Sequence, residues 1–195
     1  MKYHPDRHHR QSIRLPQYDY RQAGAYFVTI CSNQRQCLFG EIIGGELRLN
    51  DVGEIVQTEW LRSAMVRPYI ELDVFVVMPN HLHGIIMLRD TPARTRATQR
   101  VAPTTGDTGA PSTDAHGPAR DSIGAIIGQF KSITTKRINE IRNTQGSPLW
   151  QRNYYEAVLR DEHQLARVRQ YILDNPGKWS EDTENPQNRY GRPGG

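Results

Sequence analysis

The sequence predicts an α+β fold, an antiparallel sheet with helices packed on a face, and three observations lead there. Residues 71–78 and 81–88 are the most strand-like stretches, and only Pro79-Asn80, a tight turn or a bulge, separates them. Adjacent strands so joined pair antiparallel. Elsewhere, apolar residues recur at helical spacing in stretches beginning near Asp51, Ser122 and Asp161, so that strands and helices alternate. A chain of 195 residues buries one good core, and no second complete set of core elements follows the first.

In chain order, residues 1–24 form a basic arm rich in His, Arg and Tyr. Residues 26–31 then read as a first strand by their aromatic and β-branched content. Ile42-Ile43, Gly44-Gly45 and Leu47-Arg48-Leu49 give a short hairpin. Asp51, with Glu54 as its capping-box partner, opens a helix whose Val52, Ile55, Val56 and Leu61 keep helical spacing to about Met65. Residues 89–121 are dominated by Thr, Pro, Ala, Gly, Asp and Arg and hold no aromatic residue, the composition of a disordered insertion. A long helix follows from Ser122, with Ile123, Ile126, Ile127, Phe130, Ile133 and Ile141 on or near one stripe and basic residues mostly off it. Residues 150–160 give a loop and a short strand. Asp161, with Gln164, caps a last helix that buries Leu165, Val168 and Ile172 and stops at Asn175 before Pro176. The domain thus spans residues 25–179, and residues 180–195 form a flexible polar tail.

The formal charge is +4, with 25 Lys and Arg against 21 Asp and Glu, a mildly basic balance that suits an anionic partner such as nucleic acid. Cys31 and Cys37 are too few for a disulfide scaffold or a cysteine zinc site. With no signal peptide and no apolar run of about 18 residues, a cytoplasmic protein that does not engage a membrane is expected.

His81-Leu82-His83 is the most informative feature. Histidines two apart on a strand project from the same face and can grip one metal ion, and their apolar neighbours make the strand a buried one. On the last helix Tyr171 and Asn175 lie four apart and share a face. If that helix crosses the sheet near the histidines, the Asn175 amide oxygen supplies a third ligand and the Tyr171 hydroxyl stands beside the ion. A cation held this way keeps open positions to polarise a phosphoryl oxygen, and the tyrosine is the nucleophile. Tyr154 and Tyr155 are rival nucleophiles without an i+4 amide partner. Arg14, Arg35, Lys131, Arg137, Arg152 and Arg160 are candidates for phosphate contacts. Trp150 and Gln151 read equally as a core anchor with a backbone-bonding amide or as the lining of a DNA groove.

Five segments, in order, resemble a known family: Met78-Pro79-Asn80-His81-Leu82-His83-Gly84, Phe130-Lys131-Ser132, Trp150-Gln151-Arg152-Asn153-Tyr154-Tyr155, Arg160-Asp161-Glu162 and Tyr171-Ile172-Leu173-Asp174-Asn175-Pro176. Together they are similar to the REP-associated tyrosine transposases, single-tyrosine members of the HUH group named for a histidine-hydrophobic-histidine motif. The resemblance runs from about Arg14 to Trp179, broken by the 89–121 insertion, which departs from the family pattern. It implies a ferredoxin-like fold of the HUH endonuclease and transposase type. It also implies His81, His83 and Asn175 as ligands of Mg²⁺ or Mn²⁺, and Tyr171 as the nucleophile forming a 5′-phosphotyrosine link. Single-stranded hairpin DNA of the repetitive extragenic palindrome type would be the partner, bound by a monomer or homodimer. A silent nucleic-acid-binding regulator is the alternative reading.

Overall fold

A computed structural model describes residues 18–90 and 118–190. Arg14, most of the basic arm and residues 91–117 of the insertion lie outside the described residues. The elements are β1 (Gly24–Cys31), β2 (Gly40–Ile43), β3 (Glu46–Leu49), α1 (Asp51–Met65), β4 (Ile70–Met78), β5 (His81–Leu88), α2 (Ile123–Arg142), β6 (Tyr155–Leu159), α3 (Glu162–Asp174), a 3₁₀ segment (Pro176–Glu181) and α4 (Pro186–Tyr190).

The main sheet has the order β4-β5-β1-β6, and each neighbouring pair is antiparallel. Setting aside the separate β2–β3 hairpin, the chain runs β1-α1-β4-β5-α2-β6, the split βαβ arrangement of a ferredoxin-like fold. The fold class expected from the sequence is the one observed. One detail of its layering differs. α1 and α2 cover the face carrying Tyr26, Val28, Ile30, Leu82 and Ile86, while α3 lies on the opposite face, against Ala25, Phe27 and Ile85. Helical periodicity reveals which stripe of α3 is buried but not which side of the sheet receives it. β5 is buried on both sides, with α1 and α2 covering one and α3 the other.

Local chemistry accounts for the element ends. Asn50 rather than Asp51 caps α1, its side chain accepting from the Gly53 N–H at 3.0 Å. Ser122 caps α2 and Asp161 caps α3, as their spacing predicts. The buried stripe of α2 continues from Phe130 through Thr134 to Ile138, leaving Ile141 exposed. Gly44 and Gly45 both have positive φ, 61° and 84°, which the two-residue β2–β3 turn requires. At Gly84 a Cβ would come within 2.6 Å of the Trp60 ring, so glycine leaves the indole room against β5.

Pro79-Asn80 is a tight two-residue turn: Met78 pairs with His81, and neither turn residue has positive φ. The bulge in this hairpin falls instead between Leu72 and Phe75. There the Asp73 carboxylate turns toward α3 and receives the Arg169 guanidinium at 2.7 Å. Among the described residues, no helix is long and apolar enough to cross a membrane.

Candidate active site

Strand alternation sends His81 and His83 to the α3 side of β5, where Thr29 and Cys31 of β1 are their paired neighbours. Both imidazoles are buried, and their Nε2 atoms are 3.0 Å apart. Each Nδ1 is held from behind, that of His81 by Asn80 Oδ1 at 2.8 Å and that of His83 by Thr29 Oγ1 at 2.8 Å. Burial, reinforced by the neighbouring charges of His83 and Arg35, lowers His81 well below the ordinary histidine range. Burial alone pushes His83 down to about 3. Both rings are therefore neutral, with lone pairs free to bind a cation.

α3 delivers Tyr171 and Asn175 to the same place. Tyr171 is 48% exposed, and its hydroxyl lies 3.2 Å from His83 Nε2. Its ring stands edge-on to Phe27, which stacks on His83. Burial, then the negative charge of Asp182, raises the phenol above its ordinary range, against a hydrogen bond from Asn175 that lowers it. Asn175 itself is buried at the C-terminal end of α3.

Sequence reasoning missed Asp182. The polar stretch expected to form a tail from residue 180 packs onto the site. Glu184 pairs with Arg35 at 2.8 Å, the Asn185 amide donates to the Trp179 carbonyl at 2.9 Å, and Asp182 Oδ2 comes within 3.8 Å of His81 Nε2. No periodicity or motif marks Asp182; its place depends on these long-range contacts. Asp182 Oδ1 accepts from the Glu184 N–H at 2.7 Å. Asp182 Oδ2 and Asn175 Oδ1, by contrast, are buried without a hydrogen-bond partner among the described residues. The orphaned Asp182 oxygen beside two neutral imidazoles forms a donor set that fits a divalent cation, and Asn175 at the end of α3 carries a second unsatisfied acceptor. His81, His83 and Asp182 bring their ligand atoms within 4.8 Å of one another. Cys31 is also nearby, and burial and Glu184 push its thiol up to about 12.

An open groove of about 440 Å³ runs past Tyr171, His83 and Asp182 and is bordered by Arg35, Gln151 and Tyr155. Arg152 is exposed next to Gln151, and Arg160 is exposed at the start of α3. Three other candidates are engaged within the protein. Trp150 is in the core, its indole N–H donating to Thr134 Oγ1 at 2.8 Å, so of its two readings the core anchor is the one observed. Lys131 donates to the carbonyls of Gln151 and Asn153 at 2.9 and 3.0 Å, and burial lowers it to about 8. Arg137 is paired with the buried Glu59 of α1, on the far side of the sheet. Of the rival tyrosines, Tyr154 donates to Glu156 at 2.7 Å and Tyr155 packs edge-on against Phe27.

The fold is similar to that of a REP-associated tyrosine transposase. A solved structure of such a transposase bound to a REP hairpin matches with a TM-score of 0.52, covering 86% of this chain and 74% of that one at 18% identity. The chain belongs to one family with an uncharacterized protein of Haemophilus influenzae, to which it is 39% identical over 188 residues, 93% of this chain and 96% of the relative. No protein-family model matches the chain.

Proposed function

We propose that the protein is a metal-dependent strand transferase that cleaves and rejoins single-stranded hairpin DNA through Tyr171. The observation that carries this reading is the Tyr171 hydroxyl 3.2 Å from His83 Nε2, at the mouth of a buried histidine pair. His81, His83, Asp182 and Asn175 would hold the ion, Mg²⁺ or Mn²⁺. When bound, the ion supplies Lewis-acid polarisation of a phosphoryl oxygen.

The chain's own residues do the rest. Phe27 and the α3 backbone hold the phenol at the edge of the groove, half exposed, so that its proton can pass to solvent. The tyrosine oxygen attacks phosphorus, an O–P bond forms, and the bond to the 3′ oxygen breaks. The 3′ oxygen leaves with the electron pair and takes a proton, giving a free 3′-OH and a 5′-phosphotyrosine. Reversal by another 3′-OH restores a phosphodiester without an external energy source. Arg35 and Gln151 border this groove, and with the exposed Arg152 beside Gln151 and the exposed Arg160 at the head of α3 they are candidates for DNA contact.

The test is incubation with Mn²⁺ and a hairpin oligonucleotide carrying a single-stranded flank, resolved on a denaturing gel. Wild type is expected to give a covalent protein-DNA species, and Tyr171→Phe to give none while retaining DNA binding. Adduct formation by Tyr171→Phe, or cleavage without any adduct in wild type, would contradict the reading.

A further inference from the structure

The two histidines are held from behind by partners of different kinds. Asn80 is fully buried, and each of its side-chain atoms is committed. Its Nδ2 donates to the Arg35 carbonyl at 3.0 Å and to the Glu184 carbonyl at 2.8 Å. Carbonyls only accept, so the nitrogen of this amide must face them and its oxygen must face His81. Asn80 Oδ1 therefore only accepts, and His81 Nδ1, 2.8 Å away, must carry the proton. That leaves the His81 Nε2 lone pair pointing at His83 and Asp182. His83 differs, because the Thr29 hydroxyl behind it either donates or accepts and so permits both tautomers.

We infer that Asn80 is a positioning residue that locks His81 in its ligand-competent tautomer and ties that tautomer to the docking of the segment carrying Asp182. The inference rests on the metal-site reading above. Asn80 does not supply the positive φ that asparagine often contributes to tight turns. Its side chain serves the site, joining the loop at Arg35, the segment at Glu184 and the first ligand through one amide. Losing a partner of this kind lowers metal affinity about 10–100-fold.

The test uses the full chain and Mn²⁺ alone, by titration calorimetry. Asn80→Ala is expected to bind Mn²⁺ about 10–100-fold more weakly than wild type. Asn80→Asp, which still accepts from His81 but donates to neither carbonyl, is expected to recover most of that affinity while its melting temperature stays low. Equal affinity in wild type and Asn80→Ala would overturn the inference, as would an Asn80→Asp variant no better than Asn80→Ala. Wild type that fails to bind Mn²⁺ at all would overturn the metal-site reading itself. A measurement on the unmutated protein stands apart from any folding defect. Nitrogen-15 NMR of the metal-free chain is expected to show His81 protonated at Nδ1, and a proton on Nε2 would overturn the inference.

Discussion

The two faces of the sheet use the same strands for opposite purposes. Toward α1 and α2, β5 presents Leu82, Gly84 and Ile86 to a large apolar cluster centred on Trp60 and Phe130. Toward α3 the same strand presents His81 and His83 before it reaches Ile85, and the apolar cluster there is small. Period-two alternation lets one strand do both, because each residue belongs to one face only. The comparison teaches that the face carrying the buried, partly unsatisfied polar groups need not also supply most of the stability. A site with orphaned acceptors is tolerable because a dense core lies directly behind it.

That division can be broken or sharpened by substitution. Trp60→Ala, which removes a fully buried indole from the large face, is expected to cost about 3–5 kcal/mol of unfolding free energy, measured by chemical denaturation. On the other face the expected signature is a response to metal. Mn²⁺ at 100 times its Kd should raise wild-type stability by about 2.7 kcal/mol, read as a thermal shift, and His83→Ala should abolish that shift. Gly84→Ala drives a methyl group into Trp60 and is expected to cost about 1–3 kcal/mol without changing which residues bind metal. A metal-dependent shift that survives His83→Ala would dissolve the contrast between the faces.

The smallest effect is expected at the clamp between β4 and α3. Burial pushes the Asp73 carboxyl up, but hydrogen bonds from Arg169 and the Val74 N–H outweigh it and hold the group below its ordinary range. A carboxyl depressed in the folded state contributes stability above its unfolded pKa and loses it as pH falls through the folded one. The stability difference between wild type and Asp73→Asn should therefore be constant near neutrality and shrink below about pH 4, as denaturation at several pH values would show.

Much of this arrangement is legible in the sequence because it is local. The caps at Ser122 and Asp161 sit where Ser or Asp precedes an apolar period, and Tyr171 shares a face with Asn175 by helical geometry alone. His81 and His83 announce themselves by type and spacing. What is not legible depends on contacts distant in the chain. Asp182 joins the histidines because Arg35 and Asn80 hold Glu184, and nothing near residue 182 encodes that. Lys131 looks like a DNA contact until the carbonyls of the 151–153 loop appear around it. Trp150 is ambiguous for the same reason: Thr134, on another element, decides that its indole turns inward.

On the proposed reading, the polar face of the sheet holds a divalent ion beside a nucleophilic tyrosine. Anomalous diffraction from crystals soaked in Mn²⁺ tests it most directly. A single peak is expected, bonded to Nε2 of both His81 and His83, with an oxygen of Asp182 or Asn175 completing the protein ligands and the Tyr171 hydroxyl adjacent. Ordered imidazoles with no peak between them, or a peak bound elsewhere on the molecule, would contradict it.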